Sequence, residues 1–223
     1  SDPRLTGGNI NPSAATIASG GTLSITQSLN LQARSRAGNG EWSALTQANF
    51  TVGASDLVIS EIMYHPAGNE RAEFIELSNM GQEPLDLTGV RFTKGIDFNF
   101  PTGVIIAPGE NLLIIGDRDA FEAIYGETLP VIGVWERGDR LSNSGEKLKL
   151  SFGAGISIHE FDYATVAPWP SSPTGNGRSL VLTVPEGGVD HSEPANWKNS
   201  DTVGGNPGTL EGLSLIDWLA SNG

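Results

Sequence analysis

Apolar and polar residues alternate with a period of two along much of this chain. In its first part the alternation runs through Thr22-Leu23-Ser24-Ile25, through residues 29–36, and through Ala48-Asn49-Phe50-Thr51-Val52. That period is the mark of a half-buried strand. Gly38-Asn39-Gly40 lies between the second and third runs and predicts a turn. Three strands are few for an independent sandwich, so this unit is either small or incomplete. The composition shifts at Gly53-Ala54-Ser55, and residues 1–53 are read as a partial β domain.

Strand signals are denser beyond the boundary. Residues 57–64 and Glu73-Phe74-Ile75-Glu76-Leu77-Ser78 flank a loop containing Pro, Gly and Asn. Runs at 85–93, 96–100 and 104–106 follow, separated by the turn signals Pro101-Thr102-Gly103 and Pro108-Gly109-Glu110. Residues 112–115 form a continuous apolar run, predicting a strand buried on both faces. One helix is predicted next: Asp117 or Asp119 caps it, Phe121, Ile124 and Tyr125 lie at helical spacing, and Gly126 ends it. Residues 148–152, the turn Gly153-Ala154-Gly155 and residues 156–163 read as a hairpin. Turn signals at this density predict an all-β sandwich over residues 56–163.

Residues 164–208 are rich in Pro, Gly, Asn and Ser. They are expected to form a loop-rich extension with one strand at 179–184, pinned by Trp169 and Trp197. Residues 209–223 form a C-terminal tail, in which 213–220 predict a short amphipathic helix.

Composition narrows the function classes. The formal net charge is −13, from 13 Lys and Arg against 26 Asp and Glu, which disfavours nucleic acid and anionic membrane surfaces as partners. Cysteine is absent, which excludes disulfides and thiolate metal sites. No apolar stretch has the length of a transmembrane segment. No signal peptide is evident, and the abrupt opening on Ser1-Asp2-Pro3-Arg4 is expected of a piece of a longer protein.

Seven segments then occur in a recognisable order: Ile59-Ser60-Glu61-Ile62; Glu73 to Asn79; Leu85-Asp86-Leu87-Thr88-Gly89; Phe98-Asn99-Phe100-Pro101; Ile106-Ala107-Pro108-Gly109-Glu110; Leu141 to Glu146; and Phe161-Asp162-Tyr163. With this spacing, residues 56–163 resemble the lamin-tail domain family. The resemblance implies an immunoglobulin-like β-sandwich and a non-catalytic module. Gly177-Arg178-Ser179-Leu180 and Gly204-Gly205-Asn206-Pro207-Gly208 resemble the extension of bacterial members. Val90 stands where the family commonly has an aromatic residue, and no sustained heptad pattern flanks the domain, so a filament-building rod is not carried over. The bacterial resemblance implies an accessory part of an exported or cell-surface protein. Residues 1–53 are similar, through Ser1-Asp2-Pro3-Arg4, Leu31 to Arg36, Gly40-Glu41-Trp42-Ser43 and Phe50-Thr51-Val52, to the later part of the C-terminal domain of chitobiases and β-hexosaminidases.

Chemistry-bearing residues are sparse. Glu61, Glu73 and Glu76 fall on two adjacent predicted strands. Glu73 and Glu76 have opposite parity, whereas Glu61 and Glu76 share a face and are read as structural acceptors. A hydrolase using these carboxylates is a remote alternative. His65, His159 and His191 are scattered, with no His-x-x-x-His pair to hold zinc. Neither Gly-x-Ser-x-Gly nor a phosphate-binding Gly-x-x-x-x-Gly-Lys-Ser/Thr segment occurs. Calcium is a weak expectation at Asp117 and Asp119, since Asp117-Arg118-Asp119 carries a cation between its acids. Of the tryptophans, Trp169, between Pro168 and Pro170, is the best candidate for exposure, and with Trp197 it is the candidate binding residue of a carbohydrate-binding alternative. Trp42 is expected to fill the small core of its own unit. The reading so far is an interaction module of an exported or cell-surface bacterial protein, touching neighbouring domains and an unidentified protein or surface glycan.

Overall fold

In the computed structural model the chain divides into two compact units, Ser1–Val52 and Gly53–Gly223. The structure describes residues 2–25, 29–50, 56–136, 138–153, 155–170 and 176–209.

The first unit is a hairpin with a coiled lead-in. Strands β1 (Leu29–Ala33) and β2 (Thr46–Phe50) pair antiparallel, from Leu29↔Phe50 to Ala33↔Thr46. The predicted strand at 22–25 is irregular in its described residues. No apolar residue of this unit is fully buried among the described ones, and polar contacts do much of the joining. Arg34 forks onto Asp2, with Nε to Oδ1 at 2.9 Å and Nη2 to Oδ2 at 2.8 Å. That fork holds the Asp2 carboxyl well below the usual carboxylate range. Trp42 is half-buried; its Nε1 donates to the Gly8 carbonyl at 2.8 Å, and Arg36 lies over its ring.

The second unit is a β-sandwich. Its strands are β3 (Leu57–Met63), β4 (Phe74–Asn79), β5 (Leu85–Asp86), β6 (Val90–Lys94), β7 (Phe98–Asn99), β8 (Ile105–Ile106), β9 (Asn111–Ile115), β10 (Val131–Val134), β11 (Gly145–Phe152), β12 (Ile156–Ala164), β13 (Leu180–Leu182) and β14 (Trp197–Asn199), with helix α1 (Arg118–Tyr125) between β9 and β10. A six-stranded sheet runs β10-β9-β4-β3-β13-β14, a four-stranded sheet runs β12-β11-β6-β7, and β5 pairs with β8. Ile59, Ile62, Ile75, Leu77 and Ile114 from the first sheet meet Phe92, Leu148, Leu150 and Phe161 from the second in the main core.

Three departures from the sequence reading have local causes. The run at 85–93 is two strands, because Asp86 Oδ1 accepts from Thr88 N at 2.8 Å and Val90 N bonds back to the Leu87 carbonyl, turning the chain before β6. Strand β10 pairs parallel with β9, so β9-α1-β10 is a right-sized crossover unit within an otherwise mostly antiparallel sheet. The extension supplies two strands rather than one: β13 pairs with β3 and β14 with β13. The helix predicted at 213–220 lies outside the described residues.

A bulge in β3 positions the polar residues discussed below. Ile59 pairs with Leu77, yet Glu61 pairs with Glu76, leaving Ser60 as the extra residue. Ile59 and Ile62 therefore both reach the main core, whereas Met63 joins a second cluster with Phe74, Leu113, Ile115 and Phe121 under α1. Strand β9 is buried on both faces for this reason: Ile114 faces the main core, and Leu113 and Ile115 face the helix.

Candidate functional site

A cleft of about 670 Å³ opens in the second unit. It lies at the carboxyl ends of the parallel strands β9 and β10, beside the N-terminus of α1. Loop residues before β4, the β9–α1 turn and the segment after β10 line it, including Arg71, Glu73, Arg118, Trp135, Asp139 and Arg140. Open ends of parallel strands next to a helix start are where α/β units leave room for ligands.

Its walls are fixed by short-range bonds. Glu73 is completely buried; its Oε1 accepts from Arg140 Nε at 3.0 Å and its Oε2 from Leu141 N at 3.3 Å. Burial pushes its carboxyl up to about 7, against the opposing pull of Arg140. Arg140 Nη2 also donates to the Glu70 carbonyl at 2.7 Å. Asp117 caps α1, accepting from Ala120 N at 2.9 Å, and pairs with Arg71 at 2.6 Å. Asp139 Oδ2 accepts from Asp97 N, and the Trp135 indole donates to the Asp139 carbonyl at 3.1 Å. Gly116 must be glycine here, because a Cβ would come within 2.9 Å of the Trp135 ring and 3.2 Å of the Arg71 carbonyl.

The carboxylates of the cleft are thus largely held by the protein's own donors, while the cations reach outward. The side chains of Arg71, Arg118 and Arg140 are 62%, 49% and 44% exposed. The calcium candidates do not make an ion site: Asp117 is taken by the cap and by Arg71, and Asp119 sits exposed in the first turn of α1. No group of His, Cys, Asp and Glu suited to a metal ion occurs among the described residues.

A second polar assembly lies beneath the extension. Glu61 and Glu76, 2% and 1% exposed, face each other across β3 and β4. Glu76 Oε1 accepts from Ser60 Oγ at 2.6 Å and its Oε2 from Gly208 N at 2.6 Å, while Ser78 Oγ donates to Ser60 Oγ. Glu61 Oε1 accepts from Ser179 Oγ and from Asn206 N. Burial pushes the Glu76 carboxyl up to about 7. The adjoining cavity measures about 10 Å³, the lower limit for a single water. These acids fasten the extension to the sheet, and there is no room beside them for a glycoside or peptide substrate.

Trp169 and Trp197 pin the extension as expected, but Trp169 is not displayed. Trp169 is 8% exposed and Trp197 is 3% exposed. Trp169 stacks on Phe161 and packs against Trp197, and the Trp197 indole donates to the His191 carbonyl at 3.0 Å. Their ring faces are occupied by the core, which leaves no displayed platform for a sugar. Trp135 is buried as well. The histidine reading missed a pairing: the His159 and His191 rings pack against each other, centroids 4.1 Å apart and planes inclined at 45°. His191 Nε2 accepts from Ile59 N at 3.0 Å, and His159 Nε2 donates to the Leu57 carbonyl, so two imidazoles serve the edge of β3 beyond its pairing with β13.

Two antiparallel-rich sheets closed over one apolar core form a sandwich of the immunoglobulin-like kind. The family model described as Lamin Tail Domain matches residues 51–165, and the chain belongs to that family. Lamin tail domains are immunoglobulin-like and non-catalytic. No curated protein matches the chain. The family match ends before β13 and β14, so the strands that complete the six-stranded sheet lie beyond it.

Proposed function

We propose that this chain is a non-catalytic interaction module of a larger exported or cell-surface bacterial protein, and that it meets its partner at the cleft beside α1. The cleft itself carries this reading. It has the volume of a binding pocket, its walls are braced by Glu73, Asp117 and Trp135, and its three guanidinium groups point to solvent. Loops mounted on a rigid sandwich are the usual place for such contacts. The family supports the interaction role, since its members carry no catalytic apparatus. Residues 1–52 are then part of a second β module of the same protein. Export is supported by the resemblance to bacterial lamin-tail modules. The net charge of −13 supports a partner other than nucleic acid.

The test is site-specific photo-crosslinking in the parent bacterium. A benzophenone amino acid at Val134, at the cleft, is compared with one at Ser157, exposed on β12. The reading expects a discrete crosslinked product from Val134 only. Digestion of the parent protein by protease added to intact cells tests its surface location.

A further inference from the structure

The cleft has a charge arrangement that selects a class of partner. Four carboxylates and three guanidiniums line it, so its formal charge is not positive. What matters is which of these groups remain available. Glu73 is buried against Arg140 and Leu141 N; Asp117 is bound by Ala120 N and Arg71; Asp139 receives Asp97 N; Asp119, exposed in the first turn of α1, is the one acid left facing solvent against three guanidiniums. The guanidiniums behave oppositely. Each is anchored at one side by an internal acceptor (Arg71 by Asp117, Arg118 by Glu122, Arg140 by Glu73, the Glu70 carbonyl and, at 3.5 Å, the Glu70 carboxylate) and keeps between 44% and 62% of its side chain exposed. An anchored guanidinium keeps its planar fork in a fixed direction, which lowers the entropy lost when it takes a second acceptor. Planar forks of this kind match carboxylates two bonds at a time. The start of α1 lies on the same wall, and its amide dipoles favour negative charge there.

We propose that the cleft binds an acidic peptide segment of a partner protein, with Arg71, Arg118 and Arg140 receiving its carboxylates. This rests on the cleft being the contact site of the module. A polyanion such as nucleic acid fits less well, because the excess of acids over the rest of the chain repels a continuous run of negative charge. One or two carboxylates on a flexible peptide meet the guanidiniums without bringing that run close. Val134, 41% exposed at the cleft, supplies an apolar contact for the peptide's side chains.

The experiment is an amide chemical-shift titration of the isotope-labelled chain. The probes are short capped peptides rich in Asp and Glu, the same peptides with Asn and Gln in their place, and inorganic phosphate. The acidic peptides should shift the amides of residues 116–120 and 138–141 with roughly tenfold or greater preference over the amide-bearing set, the margin expected of one lost charge-assisted hydrogen bond. The Arg71→Ala/Arg118→Ala double variant, whose side chains lie outside both cores, should abolish that preference while its remaining spectrum reports an intact fold. Equal shifts from acidic and neutral peptides overturn the acidic class but leave the cleft as a contact site. Stronger response to phosphate than to acidic peptides overturns the peptide assignment. No shift at the cleft with any probe overturns both the acidic class and the contact site.

Discussion

Glu61 and Glu76 occupy directly opposed positions on β3 and β4, both buried, and each accepts a backbone amide from the segment 206–208. The carboxylates therefore fasten the extension to the outer face of the six-stranded sheet. Gly205 lies against them with φ of 70°, and a Cβ there would collide with Glu61 Oε1 and Ser179 Oγ. Gly205→Ala should destabilise the second unit by roughly 2–4 kcal/mol, combining backbone strain with overpacking. Urea unfolding measures this, and an unchanged midpoint would show that the extension is not fastened at this point.

Glu76 also sets a pH dependence. Its folded-state carboxyl sits at about 7 against an ordinary 4.5, because burial penalises the charged form. Its contribution is fully present below pH 4.5 and is lost as pH rises through 7, amounting to about 3 kcal/mol at most. Glu76→Gln should flatten the stability difference between pH 5 and pH 8 relative to the parent chain. Parallel pH profiles for the two proteins would contradict the assignment.

The histidine pair acts in the opposite direction. Burial, reinforced by the neighbouring His159, depresses His191 to about 3 from an ordinary 6.5. Stability from the neutral ring is complete above pH 6.5 and is lost as pH falls towards 3, by about 1.4 kcal/mol per unit. Protonation at Nε2 also removes the acceptor used by Ile59 N. His191→Phe should make unfolding less sensitive to pH between 6.5 and 4, at the expense of stability at pH 7. Ring-nitrogen shifts of the folded protein should show His191 still neutral at pH 5.

At the cleft, Asp117→Ala removes the cap of α1 and the partner of Arg71. A loss of about 1 kcal/mol is expected, with a larger effect on peptide affinity than on thermal midpoint if Arg71 loses its direction. Calorimetric melting and the peptide titration separate the two effects.

Much of the sandwich was legible in the sequence, because its strands carry dense apolar runs between turn residues. Strands β3, β4, β9, β11 and β12 and helix α1 fall where periodicity, Asp117 and Gly126 place them. Strand β10 escaped because Val131-Ile132-Gly133-Val134 is short and has no alternation, and its register is set by pairing with β9. Strand β14 is three residues long and depends on β13. Opposite parity of Glu73 and Glu76 was readable, and the two acids indeed serve the cleft and the extension separately. Trp169 and Trp197 pin the extension as their place in it suggested, but the exposure expected of Trp169 is not seen, because flanking prolines fix a backbone without saying which side of it meets the core; Trp169 meets Phe161. The cleft and the His159–His191 contact join segments far apart in sequence, and no local pattern announces either.

The most direct test of the interaction role is the affinity of the partner that crosslinks at Val134, measured for two charge-matched double variants. Arg71→Ala/Arg118→Ala alters the cleft, and Lys147→Ala/Lys149→Ala alters the outer side of the four-stranded sheet, where these lysines pair with Asp162 and Glu160. We predict that the cleft variant weakens binding by roughly tenfold or more and that the lysine variant binds like the parent chain. Equal affinity for all three proteins would contradict the placement of the contact site at the cleft.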